Sequence, residues 1–376
     1  MGSSKNDEWN APRLRMQLLR WYKGNQRDLP WRRNKEPYSI WVSEVMLQQT
    51  RVAVVIERYR QFLDRFPTIV SLALAPEQEV LALWSGLGYY RRARMLHKAA
   101  QFVAENLYGN LPTRAEDLRK LPGIGAYTAA AIASIAHGEP TAVVDGNVER
   151  VLCRLAGWES DGRKGATTLR RKVDVLAGYL LDPRRPGDFN QAMMELGATL
   201  CLPRNPQCRV CPVSAHCRTR GEHRTAPRPP MLSREAAYAL CLRESQGACE
   251  VLLDQRPATE TVMPDMWELP ALHEGDVPAD QLLMTVRHAI MQVNYYVRIR
   301  TVAEEEVPAL AGVRRWIPAV ELPGLALTGL ARKVLTRARL LAIEPRPALA
   351  PGPRTLSRKA LERNIRGLDF KAPRGH

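Results

Sequence analysis

Leu121-Pro122-Gly123-Ile124-Gly125-Ala126-Tyr127-Thr128-Ala129-Ala130 reads as a helix, a tight glycine turn and a second helix. Pro122, Gly123 and Gly125 interrupt the helical pattern of residues 115–120, and the Ala-rich apolar run 126–136 restarts it. Without a Cβ, the two glycines let the backbone come close to another group. The first N–H groups of the restarted helix have no intrahelical partner and favour an anion, which a DNA phosphate would supply. Asp145 follows twenty residues after Gly125, in Val143-Val144-Asp145-Gly146-Asn147-Val148, ahead of another helical run at 148–155. An aspartate in that position is most often an N-cap.

The rest of the composition points the same way. The chain has 376 residues, 45% of them hydrophobic, enough for about two domains with a sizeable core. Lys and Arg number 55 against 39 acids, a formal charge of +16, which suits a polyanion such as nucleic acid. Residues 345–376 hold eight Lys/Arg and two acids, so +10 remains outside that tail. No run of about 18 apolar residues predicts a transmembrane helix. The polar residues 1–10 lack an apolar signal core, so a cytoplasmic location is expected. In a reducing compartment, seven cysteines imply metal ligation or free thiols and not disulfides.

From the N-terminus, residues 11–30 are expected to form one helix, and residues 37–50 another that carries Glu44 within an apolar run. A carboxyl there is either exposed and paired with an arginine, or desolvated, with a raised pKa, and able to donate a proton near neutral pH. Residues 51–66 are amphipathic. Gly86-Leu87-Gly88-Tyr89-Tyr90-Arg91-Arg92-Ala93-Arg94 sets two aromatics beside three arginines, a pattern that can wedge into a base stack while the arginines hold phosphates. Residues 167–181 and 188–200 are predicted helical. Cys201-x6-Cys208-x2-Cys211-x5-Cys217 then places four thiols within seventeen residues. Such a set accepts Zn²⁺ or a [4Fe–4S] cluster, and general thiolate chemistry does not separate the two. Cys153, Cys241 and Cys249 read as packing residues.

Residues 222–234 form a proline-stiffened linker. Beyond it the period becomes that of strands, at 236–243, 249–255 and 294–302, with a last helix at 326–341. The expected organisation is a mainly α domain at 11–221, the linker, an α+β domain at 235–344, and a basic, disordered tail at 345–376.

Taken together, these motifs resemble the adenine DNA glycosylases of the MutY type, within the helix-hairpin-helix, endonuclease-III-like superfamily. The similarity runs from about residue 11 to residue 341. Leu-Pro-Trp-Arg, Ser-Glu-Val-Met-Leu-Gln-Gln-Thr-Arg-Val, Gly-Leu-Gly-Tyr-Tyr, the hairpin, the aspartate and the four cysteines carry it. The cysteine spacing matches the family's iron–sulfur loop, so the resemblance implies [4Fe–4S] on Cys201, Cys208, Cys211 and Cys217. Gln255-Arg256-Pro257 and Met266-Trp267-Glu268-Leu269-Pro270 resemble the family's Nudix-like recognition domain, although the Nudix hydrolase signature is absent.

The resemblance implies hydrolysis of the N-glycosidic bond of adenine opposite 8-oxoguanine or guanine in double-stranded DNA. Glu44 would protonate the extruded base, and Asp145 would stabilise or trap the sugar cation, two carboxylates with separate roles. Tyr127 and Asn147 would orient the sugar and Asp145. Arg27, Trp31, Leu47, Val52 and Gln191 match the adenine pocket. Gln49, Thr50, Leu87, Tyr89, Gly123 and Gly125 match positions that contact DNA. Val286-Arg287-His288 aligns with a lesion-reading loop that is Phe-Ser-His in many relatives, leaving His288 as the retained base reader. A monomer at the bacterial nucleoid is expected. Two rivals remain. A bifunctional endonuclease-III-like pyrimidine glycosylase/lyase would need a lysine at Tyr127, which cannot form an imine. A non-catalytic iron–sulfur DNA-binding protein would have no use for Glu44 and Asp145.

Overall fold

The computed structural model describes residues 10–159, 166–223, 230–273, 275, 277–310 and 312–342. The expected tail and the middle of the expected linker lie outside these. Backbone contacts divide the chain into two units, Met1–Leu74 with Met95–Arg228, and Ala75–Arg94 with Pro229–His376.

Among the described residues, eleven α-helices precede the sheets. They are α1 (Ala11–Asn25), α2 (Pro37–Leu47), α3 (Val52–Arg65), α4 (Ile69–Ala73), α5 (Glu77–Leu83), α6 (Arg91–Asn106), α7 (Ala115–Leu118), α8 (Ala126–His137), α9 (Gly146–Ala156), α10 (Ala166–Leu180) and α11 (Pro186–Thr199). The helix expected over 11–30 stops at Asn25. Gln26 is extended, and Pro30 opens a separate 3₁₀ turn, Pro30–Arg32, with Leu29 before it extended as proline requires. In the first unit, α1, α9, α10 and α11 enclose a core of Leu14, Leu18, Leu152, Val173, Leu180 and Leu196. A second layer pairs α2 with α8. Every residue from Tyr38 to Met46 and from Thr128 to Ile135 is buried. Helices apolar all round belong in an interior, and the alanines of α8 let α2 approach. Glu44 is therefore held inside the domain by its neighbours on both helices.

The second unit holds two four-stranded sheets and α12 (Gly329–Arg337). Its strands are β1 (Leu232–Leu240), β2 (Leu242–Ser245), β3 (Ala248–Gln255), β4 (Trp267–Glu268), β5 (Ala271–Leu272), β6 (Met284–Ile290), β7 (Val293–Thr301) and β8 (Val313–Pro318). One sheet runs β5-β1-β7-β6, with β1 parallel to β7 and the other pairs antiparallel. In the other, β3 pairs antiparallel with β2, β4 and β8. Val251, Leu253, Val286, Ile299, Val334 and Leu335 form the core between sheet and helix. Residues 75–94, expected in the first domain, count with this unit for a physical reason. The Tyr90 hydroxyl donates to the Leu327 carbonyl at 3.4 Å, and Arg94 Nη2 donates to the Pro264 carbonyl at 2.7 Å.

A buried acid pair and a four-thiol loop

Glu44 is 5% exposed. The Tyr127 hydroxyl, one helix away on α8, donates to its Oε2 at 2.7 Å. Burial pushes the Glu44 carboxyl up to about 7; the Tyr127 hydrogen bond opposes this, and the charge of Asp145 adds to it. Burial and the facing Glu44 charge raise the Tyr127 hydroxyl well above the usual tyrosine range, so it remains a donor. Of the two sequence readings for Glu44, exposed or desolvated, the structure realises the second.

Asp145 is the N-cap of α9, as the commonest reading of such an aspartate has it. Its Oδ1 accepts from the Val148 N–H at 2.7 Å, and its Oδ2 accepts from Asn147 Nδ2 at 2.8 Å. Capping and chemistry are compatible here, because the two bonds fix the carboxylate without consuming all its lone pairs. Asn147 Oδ1 in turn accepts from Arg150 Nη2, which also donates to the Gly197 carbonyl, while Arg150 Nε donates to the Cys201 carbonyl. The expected partner of Tyr127 was the sugar or Asp145; within the protein it holds Glu44 instead.

Among the expected pocket residues, Arg27 makes a bidentate pair with Glu195, both bonds at 2.8 Å, and Arg32 adds a third at 2.8 Å. Glu195 is fully buried. Burial alone would raise its carboxyl, but the bonds from Arg27 and Arg32 outweigh that and hold it at about 2. Sequence reasoning missed Glu195. Its signal is an acid inside the apolar run Ala192-Met193-Met194-Glu195-Leu196, with two arginines nearby in the fold that need an anion. Gln191 accepts from the Tyr22 hydroxyl at 3.3 Å, and Trp31 packs edge-on against Tyr59. Trp31, Arg32 and Gln191 line one cavity of about 990 Å³. Leu47 and Val52, half-buried at the ends of α2 and α3, do not reach it; nor do Glu44, Tyr127 and Asp145.

In the hairpin, Gly123 has φ +73°, and a Cβ there would lie 2.5 Å from the Met95 Cβ. Its close approach is thus made within the protein. Gly125 is the contrasting case, with ordinary backbone, open space around it, and the N-cap position of α8. Gln49 and Tyr89 are both exposed and both held at positive φ, 56° and 49°, a costly state for such residues that recurs at functional sites. Thr50 is half-buried, its hydroxyl donating to the Gln48 carbonyl. Leu87, expected at DNA, is 4% exposed and packs inward. Two of the three neighbouring arginines are committed within their unit. Arg92 donates to the Leu87 and Gly88 carbonyls, and Arg94 pairs with Glu77 and Asp265. Arg91 is the exposed one.

Val286-Arg287-His288, expected in a loop, lies in β6, with His288 opposite Tyr295 on β7. Val286 is 1% exposed and belongs to the core. Strand alternation sends Arg287 to the opposite face from His288, whose ring meets the α12 N-terminus at Gly329. The loop is the next turn, Met291-Gln292, where Met291 is 80% exposed with φ 53°.

All four cysteines of the 201–217 loop wall one small cavity, with Val151, Leu155, Leu196, Leu200 and Val213. Burial, more than the neighbouring thiolates, pushes the Cys211 thiol up to about 11. Arg154 Nη1 donates to Cys201 Sγ at 3.4 Å. Among the described residues no group of three or more His, Cys, Asp or Glu is arranged to hold a metal ion. Cys153, Cys241 and Cys249 are buried, as packing residues are.

Residues 42–175 match the HhH-GPD superfamily of base excision DNA repair proteins. The adenine DNA glycosylase of Homo sapiens is 41% identical over 338 residues, a match covering 74% of this chain and 60% of that protein. That of Mus musculus is 36% identical over 409 residues, covering 88% of this chain and 78% of that protein. The structure of a thermostable thymine-DNA glycosylase is 28% identical, with a TM-score of 0.50, covering 56% of this chain and 96% of that one. With two carboxyls in distinct settings around Tyr127, and with these relatives, the chain belongs to the adenine DNA glycosylase family of the HhH-GPD superfamily.

Proposed function

We propose that the protein hydrolyses the N-glycosidic bond of adenine opposite 8-oxoguanine or guanine in duplex DNA and leaves an abasic site. The observation that carries this is Glu44, a buried carboxyl raised to about 7, which holds a proton at neutral pH for a leaving base. Asp145, oriented by Val148 and Asn147, supplies the negative charge that an oxocarbenium-like sugar requires. Tyr127 stands where a lyase needs an amine, so the strand is left intact. Extruding the base costs a few kcal/mol and leaves a gap, and the exposed, strained Gln49 is a side chain offered to fill it. Among the described residues no helix is long and apolar enough to cross a membrane.

Incubation with duplex containing A opposite 8-oxoguanine, followed by alkali, tests this. Strand cleavage only after alkali is expected. Cleavage without alkali supports a lyase, and tight binding with no cleavage supports a binding protein.

The same reading gives Cys201, Cys208, Cys211 and Cys217 a [4Fe–4S] cluster. Four thiols around one apolar cavity fit it. A cluster that gives each thiolate its own iron does not require the convergence of a single tetrahedral zinc. When bound it would crosslink the loop, a structural task, while Arg154 and Arg150 hold the loop's carbonyls. Anaerobically purified protein should be yellow-brown with about four irons per chain; stoichiometric zinc without visible absorption would refute the cluster.

A further inference from the structure

The cavity beside α1 has features that the excision of a base from DNA leaves unexplained. Its volume of about 990 Å³ is at the upper end of small-molecule sites, about 300–1,000 Å³. Its inner wall is apolar and buried: Leu19, Tyr22, Trp31 and Ile135. Gln191 completes that wall; its Oε1 is taken by Tyr22, which leaves the amide nitrogen to donate. The rim is cationic. Arg20, Lys23, Lys35, Arg184 and Arg185 line it, all exposed. Among the described residues no carboxylate pairs with any of the five. Two carboxylates also line the cavity, but Asp182 is spent on the backbone N–H groups of Arg184 and Arg185, which sets both arginines at the rim. Asp188 remains to oppose five cations.

We propose that this cavity binds a free purine mononucleotide, the base against Trp31 and Gln191 and the phosphate on Arg184, Arg185 and Lys23. DNA backbone is the less fitting source of phosphate. The hairpin glycine Gly125 caps the start of α8, while the cavity touches that helix at Ile135, near its other end. Ten residues of helix separate the two by about 15 Å. A buried apolar wall suits a base, and a continuous strand would need only the rim. Glu44, Tyr127 and Asp145 do not line this cavity, so the nucleotide is held apart from the acid pair proposed above to excise adenine.

Binding is measured on full-length protein without DNA, by calorimetry with adenosine monophosphate, adenosine and inorganic phosphate. We expect adenosine monophosphate to bind at least about tenfold more tightly than either fragment, since base and phosphate sites both contribute. Arg184→Ala/Arg185→Ala should weaken it about tenfold or more, and Lys23→Glu, on the facing helix, should do the same. Equal binding of adenosine and its monophosphate, or unchanged binding in both variants, overturns the proposal. So does a result in which the double variant loses duplex affinity and keeps adenosine monophosphate, because the rim then serves DNA. Absence of excision would leave these measurements unaffected, so the two readings fail separately.

Discussion

Burying Glu44 between α2 and α8 holds its carboxyl at about 7, against 4.5 for an unperturbed glutamate. Its folded pKa is the higher one, so its contribution to stability is complete below about pH 4.5 and is lost as pH rises through 7. Excision that needs the protonated form should decline over the same upper range. Glu44→Gln removes the proton source and the cost of charging a buried acid together. It is expected to abolish excision while stabilising the fold at pH 8 by up to about 3 kcal/mol relative to the parent, an advantage absent at pH 4. Urea unfolding of both proteins at the two pH values checks this; equal differences at both would mean that Glu44 does not titrate. Glu195 has the opposite sign. Held at about 2 by Arg27 and Arg32, its contribution is present above about pH 4.5 and lost as pH falls toward 2. Glu195→Gln leaves two arginines without their anion and should cost about 3–5 kcal/mol in the same assay. Glu44 and Asp145 stand out in the sequence through the motifs that carry the resemblance, whereas spacing alone leaves Glu44 open between exposed and buried. Glu195 does not stand out, because its partners lie more than 160 residues away and only the fold brings them together.

Helix periods place α1 to α3 and α7 to α11, but not α4 or α6. The α1 boundary moved to Asn25, where Gln26 is already extended; Pro30 accounts only for the extended Leu29 before it. The step from α11 to α9 could not be read at all. A Cβ on Gly197 would lie 2.7 Å from the Asn147 Cβ, so that glycine sets how closely α11 approaches the residue orienting Asp145. Gly197→Ala should therefore displace Asn147 and lower excision about tenfold or more, with duplex affinity retained; single-turnover rates and binding curves separate the two. In the second unit, the sequence periods do not announce β4, β5, β6 or β8, β6 because the resemblance aligns Val286-Arg287-His288 with a loop. Alternation along Met284–Ile290 is the strand signal that resemblance overrode. The consequence is testable at the β6–β7 hairpin. Val286 is core and cannot intrude, whereas Met291 at the tip is exposed and apolar, with positive φ. We expect Met291→Ala to change the ratio of excision opposite 8-oxoguanine and opposite guanine more than His288→Ala does, since His288 packs on α12. A larger effect at His288 would return base reading to the strand.

For the whole chain, charge was the most legible property, although its placement was misjudged in one respect. The arginines after Tyr89 were expected to hold phosphates, but Arg92 and Arg94 are committed inside their unit. The basic character must therefore act through other residues. The chain carries +16, of which +6 lies in residues 345–376. Were the tail the source of DNA affinity, removing it would flatten the salt dependence. The remaining +10 argues otherwise. Cations that contact phosphates release bound counterions, and each neutralised phosphate adds about −0.9 to the slope of log affinity against log salt. If half of the remaining excess meets phosphate, the protein truncated after residue 344 should still show a slope of about −4 to −5. Duplex titrations between about 50 and 200 mM salt span the range in which such a slope changes affinity several-hundred-fold. A slope near zero after truncation would place the DNA-binding charge in the tail and leave the folded units to recognise the lesion by shape and hydrogen bonds alone.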